Sequence, residues 1–448
     1  MLGIKDLLLT PAYLFIIYLV AFIYRSKFVK NKEDKKYFIF GLTFKLIGAV
    51  FLGLIYAFYY KGGDTANYFN DITVIYNSFF KDPGIAFKLI IYNNTDFNPD
   101  LTPYLSNMIF AKDAASYFVV RLGAILALFC FGTYTIISLG FALLSFSCIW
   151  LFYTASTKLY PHLRREFAIS IFFIPSIFFW GSGLMKDSIT FGAVAITFFA
   201  FHSFFLEKKK NLTDILLLVL GIYILKSVKI YIALCLIPAL FVYLYVVYYS
   251  SIKSRALRIL IKPLLMIIIG GLSYYAIAEL SKENSLYRLD KLAETARTTA
   301  GWISYISEQQ GGSSYSLGNY EATFSGILMK APEAIWVTLF RPYIWESKNI
   351  IMLLSAFESF FFLFLTFKAI YKLGFIRLIK EIRSDPYVQF SLLFALSFSF
   401  AVGISTYNFG SLVRYKIPMM PFYLSSIYIL SSTAQTKTTR HRIKRYIN

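Results

Sequence analysis

A set of ionisable residues interrupts otherwise apolar sequence: Asp64, Lys186, Asp187, Lys226, Lys229, Arg341, Glu346 and Arg414. A charge beside hydrocarbon is costly, so an ionisable residue at the end of a membrane span is a functional hypothesis by default. Asp64 follows Lys61, Gly62 and Gly63, and paired glycines let the backbone turn tightly and bring the carboxylate over a helix end. Such a carboxylate can take the proton of a hydroxyl nucleophile, the general-base role in moving a sugar onto that hydroxyl. The departing phosphate then needs cations, and arginine suits the task because its planar fork meets phosphate oxygens in pairs. Arg341, in the run Arg341-Pro342-Tyr343-Ile344-Trp345-Glu346, and Arg414 are the arginines placed for it. Asp64, Arg341 and Arg414 are the candidate catalytic residues. Lys186, Asp187, Lys226, Lys229, Tyr343, Trp345, Glu346 and Tyr415 form the candidate substrate-binding set. Simpler roles stand beside these. Asp64 could be a turn carboxylate paired with Lys61, the lysines could be anchors whose heads reach the interface, and the rings of Tyr343 and Trp345 could belong to the aromatic belt of any membrane surface.

Other chemistries are not expected. The histidines, His162, His202 and His441, fall in or beside the expected cytoplasmic side, which argues against an outward histidine triad or metal centre. The sequence has no P-loop and no dinucleotide fingerprint. Cys130, Cys148 and Cys235 lie in apolar segments without metal-ligand spacing, so neither a disulfide framework nor a zinc site is implied. No acidic pair or Asp-x-Asp motif calls for a metal, and no cofactor is expected.

The elements that must position these residues are membrane helices. The 448 residues are 58% hydrophobic and 19% aromatic, with a mean hydropathy of +0.60. A net charge of +21 would suggest nucleic acid in a soluble chain, but here the basic residues cluster between apolar runs long enough to cross a bilayer. That is the positive-inside pattern, and no nucleic-acid partner is expected. The expected fold is an all-α polytopic transmembrane bundle, one integral membrane domain over 1–448, with about eleven spans of roughly 20 residues each. They fall near 7–24, 37–60, 134–153, 166–182, 188–206, 212–226, 230–249, 263–280, 349–368, 387–407 and 416–432. The basic clusters put the N-terminus outside and the C-terminus in the cytoplasm. The larger extracytoplasmic loops are 61–116, with an interfacial helix near Arg121, and 281–348, which carries Gly311, Gly312, Arg288 and Arg297. A basic tail, 434–448, stays inside. The first apolar stretch reads as a retained span, since no small-residue cleavage site follows it. No internal repeat of the kind found in many secondary transporters is visible.

The outward Gly62-Gly63-Asp64-Thr65-Ala66-Asn67-Tyr68, the hairpin tip Trp180-Gly181-Ser182-Gly183-Leu184-Met185-Lys186-Asp187-Ser188, the stretch from Leu339 to Glu346 and the run from Val413 to Pro421 together resemble bacterial membrane proteins of surface-polysaccharide assembly. These are the O-antigen and exopolysaccharide polymerases and the multi-span C-type glycosyltransferases. The likeness in layout covers nearly the whole chain, and its motifs are short. It implies an enzyme of the bacterial inner membrane that uses polyprenyl-linked sugars and a glycan acceptor on the periplasmic side, with envelope-assembly proteins as further partners. By that resemblance Asp64 matches the acidic residue of the first outer loop, and Arg341 and Arg414 match basic residues that hold a lipid-linked phosphate. C-type enzymes often carry a second acid beside the first. Here Thr65 stands there and Asp71 is the nearest carboxylate.

A different class, a transporter or flippase for a lipid-linked or anionic substrate, should place ionisable groups near the middle of its spans. Lys45 is the plainest such residue. A non-catalytic membrane subunit of an envelope complex would use the outer loops to bind partners.

Overall fold

The computed structural model describes residues 1–92, 98–252, 254–281, 291–309, 313–318, 321 and 323–433. The expected basic tail, Arg288, Gly311 and Gly312 lie outside the described residues. Among those described the chain is helical throughout, with no strand beyond one isolated antiparallel bridge between Ser314 and Asn408. Among the described residues, seven helices are long and apolar enough to cross a membrane: Ile4–Phe28, Lys32–Tyr59, Tyr134–Leu159, Lys186–Leu206, Leu212–Tyr249, Ile350–Leu373 and Pro386–Thr406.

Several of these correspond to expected spans one for one, and the exceptions are informative. Expected spans 212–226 and 230–249 form one helical element, Leu212–Ser251, broken at Lys229 (φ −146°, ψ 77°). A straight helix of its 40 residues would be about 60 Å long. Yet Asp214 near its start accepts from the Ser203 hydroxyl at 2.8 Å, while Tyr243 and Tyr248 near its end reach His202 Nδ1 (3.4 Å) and the Phe205 carbonyl (3.0 Å). Both ends meet the same turn, so the chain doubles back at Lys229. The expected span 166–182 is not one helix. It runs as Arg164–Ala168, a π turn Ile169–Phe173, an extended residue at Ile174 (ψ 126°) and Pro175–Trp180. The proline explains the interruption, because the residue before a proline is driven away from helical geometry. Expected span 263–280 lies within the 27-residue helix Arg255–Ser281, and near 416–432 the helix Met420–Thr433 has 14 residues, fewer than any of the seven candidate spans.

The larger loops are helical too. Asp64–Lys81 buries Thr65, Tyr68, Asp71, Ile72, Ile75 and Ser78, the three-and-four spacing of an amphipathic helix with a packed face. That face packs on Ala114–Phe129, the helix expected at the interface. In the second loop lie Leu292–Gln309, Phe324–Met329 and Ala331–Phe340.

The chain divides into two compact units. The first comprises Met1–Thr154, Ile171–Ile196 and Tyr223–Lys229, and the second Ala155–Ser170, Thr197–Ile222 and Ile230–Asn448. The first unit is cored by stacked and edge-on rings of Phe38, Phe146, Trp150, Tyr153 and Phe172. The second is cored by Phe198, Phe390, Phe394, Phe422 and Tyr243. Aromatic side chains supply large contact area with few rotatable bonds, which is how so aromatic a chain fills its interior.

Close helix approach depends on two glycines. A Cβ on Gly48 would stand 1.8 Å from the Phe178 carbonyl oxygen, and one on Gly403 would stand 2.3 Å from that of Ala334. Backbone cannot yield as a side chain can. Gly48→Ala and Gly403→Ala are each expected to destabilise the protein by about 1–3 kcal/mol or more, read as a lowered melting temperature in detergent. Gly271→Ala, in open space inside the helix Arg255–Ser281, should not lower the melting temperature, since alanine is the better helix former.

Candidate functional site

The first unit collects charge around the hairpin tip between Pro175–Trp180 and Lys186–Phe201. Gly181 to Met185 are buried. Their backbone has left the helix, so its carbonyls need partners. Lys45 supplies them: its fully buried ammonium donates to the Gly181 carbonyl at 2.5 Å, to the Ile177 carbonyl at 3.3 Å and to Ser145 Oγ at 3.3 Å. A cation at a helix C-terminus also answers the partial negative charge of the helix dipole. Ser145 Oγ donates to the same Gly181 oxygen. The midspan lysine therefore closes a helix break.

Lys186 and Asp187 each find an opposite charge. Lys186 Nζ lies 3.1 Å from Asp113 Oδ2, and Asp113 also accepts from Ser116 Oγ and from the Ala115 amide. Burial pushes the Asp113 carboxyl up, but the Lys186 ammonium and the Ser116 hydroxyl outweigh it and hold it below the usual carboxylate range. Asp187 Oδ1 accepts from Lys229 Nζ at 2.5 Å with both side chains nearly inaccessible. Lys229 is the residue at which Leu212–Ser251 doubles back. The sequence-identified pair of hairpin tip and lysine turn is thus brought together, and Lys226 is half-buried in the same turn.

Asp64 is the first residue of Asp64–Lys81, after Gly62 and Gly63 at φ +145° and +107°. Both glycines occupy conformations that side-chain-bearing residues rarely adopt. A carboxylate in a first helical turn is favoured by the helix dipole, which gives Asp64 a structural role whatever else it does. Asp71, the nearest second acid, is fully buried. Its buried carboxylate accepts from the Ile109 and Phe110 amides at 2.9 and 2.8 Å. Burial raises its pKa, and those two amides oppose the rise.

The second unit holds the other cluster. Arg341 ends Ala331–Phe340 and precedes Pro342, to which its peptide bond is cis. Its guanidinium grips Glu346 in a fork, Nε to Oε2 at 3.1 Å and Nη2 to Oε1. Glu346 Oε2 also accepts from the Tyr343 amide at 2.8 Å. Three rings surround the cation, with centroids 5.0 Å (Phe409), 5.6 Å (Tyr343) and 6.0 Å (Tyr315) from Cζ. Tyr315 is set by paired backbone, its amide on the Tyr407 carbonyl, the Phe409 amide on the Ser313 carbonyl, and its hydroxyl on the Gly403 carbonyl. Tyr343 takes a bond from Trp336 Nε1 at 2.7 Å and stacks on Trp345, centroids 4.9 Å apart. Trp345 itself is 81% exposed. Two of the five donors of Arg341 serve Glu346, and the others have no partner among the described residues.

Behind this cluster Lys416, 1% exposed, donates to Ser359 Oγ at 3.1 Å, and Ser359 donates to the Arg341 carbonyl at 3.0 Å. Arg414 and Tyr415 are half-buried at the end of Phe409–Tyr415, the helix whose Phe409 lies against Arg341. The sequence reading missed Lys416, Ser359, Tyr315 and Asp113. It also passed over Glu358, the sole acid of Ile350–Leu373 and 4% exposed, although an acid inside an apolar run is a signal in itself. No group of His, Cys, Asp or Glu suited to a metal ion occurs among the described residues. No family model matches the chain, and neither does any curated protein or solved structure.

Removing one partner of the Asp187–Lys229 pair leaves a buried charge. Asp187→Asn is expected to cost about 3–5 kcal/mol of stability, and the double variant Asp187→Asn with Lys229→Met should recover most of it, both measured by denaturation in micelles. The Asp113 contribution has the opposite origin, a lowered carboxyl pKa. It is present above the ordinary carboxylate range and lost as pH falls through the lowered value. Melting temperatures of wild type and Asp113→Asn should therefore differ at neutral pH and converge in acid.

Proposed function

We propose that this chain is a membrane glycosyltransferase or polysaccharide polymerase that moves a sugar or oligosaccharide from a polyprenyl-phosphate-type carrier to a glycan acceptor on the outer face of a bacterial inner membrane. The arrangement that carries this reading is the Arg341–Glu346 fork with its rings. An exposed indole stacked on a tyrosine offers an apolar face to a sugar ring, and the spare donors of a guanidinium suit phosphate oxygens. In the reaction the acceptor hydroxyl oxygen bonds to the anomeric carbon, the bond from that carbon to the carrier phosphate breaks, and the carrier phosphate leaves with the electron pair. The hydroxyl proton passes to a general base. Arg341 meets the growing charge on the leaving group, where an aimed donor acts most strongly.

The proposed topology has about eleven spans, N-terminus outside and C-terminus in the cytoplasm. The doubling back at Lys229 supports counting two spans across Leu212–Ser251. Arg414, Tyr415 and the Lys186–Asp187 tip remain the further substrate-binding candidates. Glu358 and Lys416, both buried near or within apolar helices, favour a second reading, transport of an anionic or lipid-linked substrate.

A strain lacking the gene, complemented at equal membrane levels, tests the role in surface glycan, and transfer assayed in its membranes separates transferase from transporter. Wild type is expected to restore long-chain glycan. Arg341→Ala is expected to reduce transfer on the order of a hundredfold or more, with Arg414→Ala and Asp64→Asn also impaired. Trp345→Ala should weaken sugar binding by about tenfold and leave turnover at saturation nearer to normal. A glycan profile unchanged by deletion would sink the transferase reading.

A further inference from the structure

The ten-residue helix Phe375–Ser384 lies between Ile350–Leu373 and Pro386–Thr406, both long and apolar enough to cross a membrane. Gly374 and Asp385 are the sole connectors. Gly374 turns the chain at φ +69°, a conformation glycine adopts without steric cost. With one residue at either end, a helix about 15 Å long cannot leave the level at which its neighbours end. With both neighbours spanning the membrane, it runs along the membrane surface.

The residues it presents there are of two kinds. Phe375 and Ile376 are 70% and 85% exposed. Together with Ile379, Lys380, Arg383 and Ser384 they line one shallow groove. Positions 375 and 379, 376 and 380, and 379 and 383 are each four apart, so apolar and basic groups share a face. Arg377 ties the helix down through the Thr433 carbonyl at 2.9 Å and pairs within the helix with Glu381 at 3.7 Å. Lys380 and Arg383 are exposed, and their side chains have no partner among the described residues. Lys368 and Lys372 add charge at the end of the preceding helix.

We propose that this groove binds an anionic phospholipid of the bilayer in which the chain sits, its headgroup phosphate on Lys380 and Arg383 and its glycerol and first methylenes on Phe375, Ile376 and Ile379. A short basic amphipathic helix held in the interface plane meets both parts of such a lipid at once. A soluble partner would have to compete with the bilayer for an apolar face already at its surface. The inference depends on the membrane placement of the two flanking helices and not on the transferase reading.

The test is native mass spectrometry of the full chain released from micelles doped with phosphatidylglycerol or with phosphatidylcholine of the same acyl chains. Wild type is expected to retain phosphatidylglycerol roughly tenfold better, and added salt should erase that preference. Lys380→Gln with Arg383→Gln should lose the preference, Phe375→Ser with Ile376→Ser should weaken retention of both lipids, and Glu381→Gln should keep the preference. Equal retention of the two lipids by wild type would overturn the proposal without recourse to any variant. So would wild-type retention by the double glutamine variant, or displacement of the lipid by inorganic phosphate alone.

Discussion

Away from water an unpartnered backbone amide or carbonyl costs free energy comparable to a lost hydrogen bond, so a chain that breaks a helix where it is buried must satisfy what the break exposes. That constraint organises this protein. At the hairpin tip the Lys45 ammonium takes the carbonyls of Ile177 and Gly181. At the turn in Leu212–Ser251 the chain reverses on Lys229, whose charge is neutralised by Asp187. After Ala331–Phe340 the Arg341 carbonyl accepts from Ser359, itself bonded by Lys416. The buried charges are thus concentrated where helices stop. A broken helix is also where polar atoms gather, and polar atoms are what a substrate can bind.

Each unit combines such breaks with a rigid aromatic core. Phe38, Phe146 and Trp150 brace the helices of the first unit, and Phe198, Phe390 and Phe422 brace those of the second. Rings have few rotamers to lose on burial, so they hold the ends of the helices in place at low entropic cost. On that footing the fork of Arg341 and Glu346 is preorganised by rings and by backbone. Charge aimed in advance at a leaving group needs no reorganisation during the reaction, which is the source of its effect.

Much of this was legible in the sequence because lipid imposes a simple rule on it. Apolar runs such as 7–24 and 349–368 became single helices, and the charged tip around Lys186 and Asp187 was visible as an interruption. What escaped was set by contacts distant in sequence or by local backbone chemistry. Asp113 sits 73 positions from Lys186, and no periodicity joins them. The stretch 166–182 has the composition of a span, yet Pro175 breaks it. The loop 61–116 is polar enough to resemble coil, but its Tyr68, Ile72 and Ile75 recur at helical spacing and find a buried face. Arg341 and Glu346 are close in sequence and were singled out together. Tyr315 and Phe409, which complete their surroundings, arrive through a single bridge between distant segments.

The central claim is that the Arg341 cluster serves cleavage of a carrier-linked sugar. Its most direct test places the purified full chain in proteoliposomes with a polyprenyl-diphosphate-linked oligosaccharide and a glycan acceptor, and follows free carrier and glycan length together. Release of carrier in step with glycan lengthening, abolished by Arg341→Ala in a protein that still melts like wild type, is the predicted result. Movement of the intact carrier-linked sugar across the bilayer, with no carrier freed, would contradict the claim and identify a transporter.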